Sequence, residues 1–309
     1  MTGYVIVIDH KQRSIDGDAY RLLIREEGRL FRGIAWSQLA LLIIGPQTEV
    51  VTRVWSRLAA HGIAALLLAR DVEHSCWITP AHPGWSQNRA DQYRARESRG
   101  SRLALARFVL REKCLAYRAA SGSLMDGALE SAIERVLRAL DDASDEDSLR
   151  GLEGGLAAEW FRHLRAGLDP GWGFRYRQRR PPPDPFNAVL SLGYTILAAT
   201  AARALLRNGL DPAVGFLHSP QSDRDALALD ALECLRPRFD RHALRLMQGW
   251  SIADFIGDPQ LGCRLGKSAR LGFYSAMGSF QDEMETELRL WCQRFRSEMS
   301  KARFEHCPT

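Results

Sequence analysis

Thr79-Pro80-Ala81-His82-Pro83-Gly84 divides this chain into two kinds of sequence. Proline and glycine at that density end any regular element, and the patterns on either side differ. Upstream, Tyr4-Val5-Ile6-Val7-Ile8, Tyr20-Arg21-Leu22-Leu23-Ile24 and Leu39-Ala40-Leu41-Leu42-Ile43-Ile44 are short apolar runs between polar and glycine turns, the pattern of strands. Residues 63–69 read as another buried strand. Between these, residues 48–61 place Val51, Val54, Trp55, Leu58 and Ala59 on one helical stripe, stopped by Gly62. Downstream, from about Trp85, the spacing turns helical. Residues 101–120 and 124–140 are amphipathic, and residues 279–304 form a charged amphipathic tail. Asp184-Pro185 pairs a capping residue with proline at the first helical position, which predicts a helix to about Asn208 ended by Gly209. The expectation is an α+β protein, with a small N-terminal β-sheet domain over 1–80 and a larger all-α C-terminal domain over 85–309.

The 309 residues carry a net charge of +5, with 46% hydrophobic and 26% charged residues, ordinary values for a soluble globular chain. No run approaches 18 uninterrupted apolar residues, so no membrane association is expected. The N-terminus lacks a basic region, apolar core and cleavage site, which argues against secretion. Six cysteines (76, 114, 234, 263, 292, 307) are scattered without a CxxC pair, as expected of reduced thiols in a cytoplasm rather than a zinc site or disulfide framework. No GxGxxG, GxxxxGK[ST] or HExxH pattern occurs, which disfavours a cofactor-dependent enzyme.

The chemistry concentrates in the downstream half. Leu227-Ala228-Leu229-Asp230-Ala231-Leu232-Glu233 is an apolar helical run holding two carboxylates three positions apart, preceded by Gly215-Phe216-Leu217-His218 on a loop. Asp230 and Glu233 share a helical face, with Cβ atoms roughly 5–6 Å apart. The ordinary reading of that spacing is a solvated acidic face. Among so many apolar neighbours, however, buried carboxylates require a cation, donors or a shifted pKa. A second oddity lies at Leu149-Arg150-Gly151-Leu152-Glu153-Gly154-Gly155-Leu156. Glycines inside a helical pattern point to close approach by backbone or ligand, so Glu153 is expected to face the same place. The acidic stretch Asp141-Asp142-Ala143-Ser144-Asp145-Glu146-Asp147-Ser148 reads as a solvated connector whose charges suit the start of the Glu153 helix.

Between Glu153 and His218, Gly171-Trp172-Gly173-Phe174-Arg175-Tyr176-Arg177-Gln178-Arg179-Arg180 alternates arginine with aromatics. That composition serves nucleic acid, with arginines for phosphates and rings for unstacked bases. It also serves a basic loop anchored to the core by Trp172 and Phe174.

The segments Arg150–Phe161, Arg179–Tyr194, Gly209–His218 and Leu227–Pro237 together resemble the universal CRISPR-associated integrase family, in that family's order and spacing. The resemblance implies a DNA endonuclease and integrase that inserts new spacers into the CRISPR array. It implies Glu153, His218 and Glu233 as ligands of a divalent metal, with Asp230 an auxiliary acid beside them, giving catalytic positions Glu153, His218, Asp230 and Glu233. Oxygen ligands with one imidazole favour Mg²⁺ or Mn²⁺. Arg175, Arg177, Arg179, Arg180 and Arg224 are expected to clamp phosphates, with Asn187 and Tyr194 lining the site or, for Tyr194, packing in the core. Implied partners are double-stranded DNA fragments, CRISPR repeat DNA, a second copy of the chain and a small ferredoxin-like companion. The same site attacking with water would give a structure-specific DNA repair nuclease. Carboxylates merely paired with Arg224 or Arg236 would give a non-catalytic DNA-binding assembly subunit.

Overall fold

The computed structural model describes residues 4–9, 11–68, 76–78, 86–219, 225–258, 260 and 262–305. Strands fill the chain up to Ile78 and helices dominate from Ser86 onward; the breaker segment 79–84 lies outside the described residues.

The first sheet pairs β1 (Tyr4–Ile8) parallel with β5 (Leu39–Ile44), then β7 (Ala64–Leu67) parallel, then β8 (Cys76–Ile78) antiparallel. β5 is buried along its whole length, as a central strand covered on both faces must be. The second sheet runs β4 (Arg29–Ala35), β3 (Arg21–Glu26), β2 (Arg13–Gly17) and β6 (Glu49–Val50). β2 and β4 carry no sustained apolar run, and β8 is only three residues long; all three escaped the pattern reading. The 48–61 helix likewise begins later, as α1 (Arg53–Ala60), because Glu49 and Val50 pair with Ser14 and Ile15 instead. Ile8, Ile15, Leu22, Ile34, Trp36, Leu42, Val54 and Leu58 form one core between these elements. Gly17 is fixed by that core, since a Cβ there would lie 2.7 Å from the Trp36 ring.

The helical part comprises α2 (Ser86–Glu97), α3 (Arg99–Ser121), α4 (Gly127–Ala139), α5 (Glu146–Ala166), α6 (Pro185–Arg207), α7 (Ala226–Glu233), α8 (Arg236–Met247) and α9 (Lys267–Glu305). One antiparallel hairpin, β9 (Phe255–Asp258) with β10 (Gly262–Leu265), interrupts them. α6 follows its sequence signals closely. Asp184 accepts the Asn187 amide at 2.8 Å, Pro185 opens the helix, and Gly209 follows it at φ +73°. By length and composition α6 could cross a membrane, but most of it is buried inside the protein, the character of a core helix. Its Gly193 faces Phe239 of α8 so closely that a Cβ would sit 1.9 Å from the ring. At its other end Ala199 packs against Leu41, Ile43 and Ala64 of the first sheet. α9 starts twelve residues before the expected tail and buries Phe273, Met284, Trp291 and Phe295, with Trp291 and Phe295 stacked at 4.9 Å.

Candidate active site

Four helices and one loop bring the charged residues together. α3, capped by Ser98, carries Lys113. α5 is capped by Asp145, which accepts the Ser148 amide at 2.7 Å, and carries Glu153; the acidic connector thus supplies a cap as well as solvated charge. α7 carries Asp230 and Glu233, both fully buried, and α8 opens with Arg236.

Asp230 is consumed by the loop ahead of it. One carboxylate oxygen accepts the amides of Phe216 at 2.6 Å and Leu217 at 3.2 Å; the other accepts the His218 amide at 2.9 Å and faces His218 Nδ1 at 2.8 Å. Four donors on one carboxylate offset the cost of burying it. Gly215 permits this approach, because a Cβ there would lie 2.6 Å from the backbone of Ala226. With Nδ1 held by Asp230, His218 presents Nε2 toward Glu233, 3.7 Å from Oε1. A carboxylate behind an imidazole fixes which nitrogen is offered forward. Burial works against the imidazolium, but the Asp230 hydrogen bond and the Asp230 and Glu233 charges outweigh it and raise the His218 pKa.

Glu233 is held by charge. Lys113 Nζ lies 2.6 Å from Oε2 and Arg236 Nη1 2.6 Å from Oε1. Burial pushes its pKa up, yet Arg236, Lys113 and His218 together hold it down to about 2. Neither oxygen accepts a hydrogen bond of good geometry from a described residue; these contacts are close in distance and poor in angle, so they count as ion pairs only. The same Lys113 ammonium donates to Glu153.

Glu153 and Glu233 therefore flank one point, with His218 beyond Glu233, and at that point stands the Lys113 ammonium. Among the described residues no three His, Cys, Asp or Glu side chains converge tightly enough to hold a metal as they stand. The donor chemistry itself fits a hard divalent ion: two carboxylates, one imidazole nitrogen, and two Glu233 oxygens short of good hydrogen bonds.

A cleft of about 390 Å³ opens beside this cluster. Lys113, Glu153 and Arg236 line one part, and Arg162, Arg165, Arg175, Arg177 and Arg179 line much of the rest; Glu233 and His218 are not in its wall. Tyr194 also lines it and donates its hydroxyl to Asp240 at 2.6 Å, while Trp160 Nε1 donates to the other Asp240 oxygen at 2.8 Å. Burial raises the Asp240 pKa to about 6 against the pull of these bonds and of Arg236 and Arg177. Tyr194 is thus at once core and lining.

Two residues expected at the nucleic-acid site, Asn187 and Arg177, make bonds within the arginine loop itself. Asn187 is fully buried. Its Oδ1 accepts from Arg177 Nη1 and the Gln178 amide at 2.9 Å each, and its Nδ2 donates to the Tyr176 carbonyl and Asp184. It is a clasp for the arginine loop and has no face left for DNA. Arg177 donates through Nη1 and Nη2 to Asn187, the Gln178 carbonyl and Ser191, which ties it to the loop, while its Nε has no hydrogen-bond partner and the residue lines the cleft. Arg175, Arg179 and Arg180 are exposed, the first two on the cleft and Arg180 outside its lining. Arg224 lies outside the described residues. Of the loop aromatics, Phe174 packs edge-on against Phe186 at 5.0 Å and Trp172 against Phe255 at 5.7 Å. They are anchors; Tyr176, 63% exposed, is the ring left open for stacking.

Sequence reasoning missed Lys113, Arg162 and Arg165 and gave Arg236 only a structural part. Lys113 had a signal. It shares one helical stripe with Val109 and Tyr117, four residues to either side, and a charge on an apolar stripe requires a partner.

An open β layer followed by a helical body, with buried carboxylates meeting a cation beside an arginine-lined cleft, defines an α+β protein equipped for phosphate chemistry. Residues 6–278 match the family model described as CRISPR associated protein Cas1. The chain belongs to the Cas1 family. It is 29% identical over 304 residues to the CRISPR-associated endonuclease Cas1 1 of Thermodesulfovibrio yellowstonii, covering 94% of this chain and 95% of that one. Its fold is shared with a Cas1 protein from Thermotoga maritima, with a TM-score of 0.82 at 17% identity over 96% of this chain and 97% of that one. It is also shared with a casposase bound to its integration product, with a TM-score of 0.78 at 18% identity over 96% and 91%.

Proposed function

We propose that this Cas1 protein acts as the integrase and endonuclease of CRISPR adaptation, by divalent-metal-dependent phosphoryl transfer on DNA. The observation that carries the reading is the buried Glu233, flanked by Glu153 and His218 and placed beside an arginine-lined cleft. In the transfer step the 3′-hydroxyl oxygen of an incoming fragment bonds to a phosphorus at the repeat border. The strand's own 3′-oxygen leaves with a proton. One phosphodiester forms as one breaks, so no energy source is consumed. Such chemistry needs positioning and charge neutralisation more than a covalent nucleophile.

Glu153, His218 and Glu233 would hold Mg²⁺ or Mn²⁺, which supplies Lewis-acid polarisation of a phosphoryl oxygen. Asp230 holds the 216–218 loop and the His218 ring in register. Arg175 and Arg179, with Arg162 and Arg165, neutralise backbone phosphates along the cleft, and Tyr176 offers a stacking face. Partners in this reading are double-stranded fragments, repeat DNA, a second copy of the chain and a small ferredoxin-like companion, all in the cytoplasm and away from membranes.

With purified protein, Glu153→Ala and His218→Ala should each abolish Mn²⁺-dependent integration while DNA binding persists. Integration at the wild-type level by either variant refutes the assignment. A labelled 3′ end recovered in the target strand identifies transfer; shortened fragments alone identify a nuclease. The pairing of Glu153 and Glu233 with Lys113 and Arg236 favours one second reading, a DNA-binding subunit whose carboxylates are purely structural. Calorimetric titration with Mn²⁺ in the presence of DNA separates the two, since a structural network binds no stoichiometric metal.

A further inference from the structure

We propose that Lys113 is a resident counter-cation that makes metal binding conditional on DNA binding. The inference rests on the metal-dependent reading above and specifies how that site is loaded. Lys113 is 1% exposed, its ammonium hydrogen-bonded to Glu153 and 2.6 Å from Glu233. It sits in the middle of α3, in the wall of the cleft, with the Tyr117 ring centroid 5.6 Å away and Trp160 against Tyr117 at 4.7 Å. Arg236 adds a second cation on Glu233. Asp230 is already spent on three amides and an imidazole.

Glu153 and Glu233 thus face two cations, Lys113 and Arg236, before any metal arrives, and the charges of these four groups cancel. A divalent ion entering alone would add two positive charges beside a buried ammonium, and charge repulsion in a poorly solvated place is strong. A DNA phosphate guided in by Arg175 and Arg179 brings the missing negative charge. Metal and DNA then stabilise one another, and linkage requires each to raise the other's affinity by the same factor. Lys113 meanwhile keeps Glu153 and Glu233 drawn together, so their positions are set before loading. The outcome is a site that stays poorly loaded with metal until a phosphodiester occupies the cleft.

The test is Mn²⁺ binding followed by electron paramagnetic resonance. It uses the full chain, with and without a duplex bearing single-stranded ends that lack 3′-hydroxyls, and the same DNA without protein is the blank. The wild-type dissociation constant for Mn²⁺ should fall roughly 10–100-fold when DNA is added, and DNA affinity should rise equally with Mn²⁺. Lys113→Gln should bind Mn²⁺ more tightly without DNA and retain less than about a third of the coupling. Equal wild-type Mn²⁺ affinity with and without DNA overturns the inference and leaves the metal site standing. Absence of stoichiometric Mn²⁺ even with DNA overturns both. Full coupling in Lys113→Gln removes Lys113 from the explanation. Should that variant not fold, Lys113→Met, which keeps the buried stem without its charge, takes its place with the same outcomes.

Discussion

Asp230→Asn isolates what the buried carboxylate does for the 216–218 loop. The substitution keeps one acceptor oxygen and turns the other into an amino group aimed at N–H donors. With Oδ1 kept for the His218 amide and ring, the amides of Phe216 and Leu217, now bonded at 2.6 and 3.2 Å, face an NH₂. Each buried donor left without an acceptor costs about 1–3 kcal/mol, so the change should destabilise by about 3 kcal/mol. For 309 residues, an unfolding entropy near 2.1 cal/mol/K per residue gives about 0.65 kcal/mol/K, and hence a melting temperature lower by about 5 °C. Thermal unfolding followed by circular dichroism measures the shift, and hydrogen exchange at Phe216, Leu217 and His218 localises it. Faster exchange at those three amides, with α3 and α5 unchanged, is the expected signature. A variant melting within about 1 °C of wild type with the same amide protection would refute the claim that Asp230 organises the loop.

Asp240 gives a pH dependence with a definite sign. Its folded pKa of about 6 lies above its ordinary 3.8, so the folded protein binds the proton more tightly. Its contribution is most favourable below pH 3.8 and is lost as pH rises through about 6, a change of about 3 kcal/mol. Urea unfolding across pH 4–7 should show that component in wild type and lack it in Asp240→Asn; identical slopes would count against it. For the arginine loop, replacing Arg179 and Arg180 by alanine should make the logarithmic salt dependence of DNA binding shallower by up to about 2 units, near 0.9 for each phosphate no longer neutralised. An unchanged slope would assign both residues to loop structure.

How much could be read beforehand depended on the range of the interaction. α6 was legible to within a residue because Asp184, Pro185 and Gly209 act on backbone groups beside them. The carboxylate face of α7 was legible for the same reason, since Asp230 and Glu233 are one turn apart. β2 and β4 were not, because strands such as Arg29-Leu30-Phe31-Arg32-Gly33 are exposed along most of their length and carry no apolar periodicity. Lys113 was missed because its partners lie 40 and 120 residues downstream, and nothing local records that distance. That Asn187 is buried and bonded to Arg177, Gln178, Tyr176 and Asp184 could not be read from composition, which does not distinguish a polar group already satisfied by a neighbour from one still free. Chemistry of residue types was visible in the sequence; saturation of their bonds was visible only in the fold.

α6 reaches from the arginine loop to the β layer. Asn187, in its first turn, clasps the loop at Gln178, and Ala199, twelve positions on, rests against Leu41 and Ile43. The helix is therefore a ruler between two halves of the molecule. Gaining or losing one residue between those points would shift the distance by only about 1.5 Å, but would swing one end by about 100° relative to the other, carrying Asn187 off its clasp or Ala199 off the sheet. The residue count of this segment is therefore constrained by geometry independently of which side chains it carries.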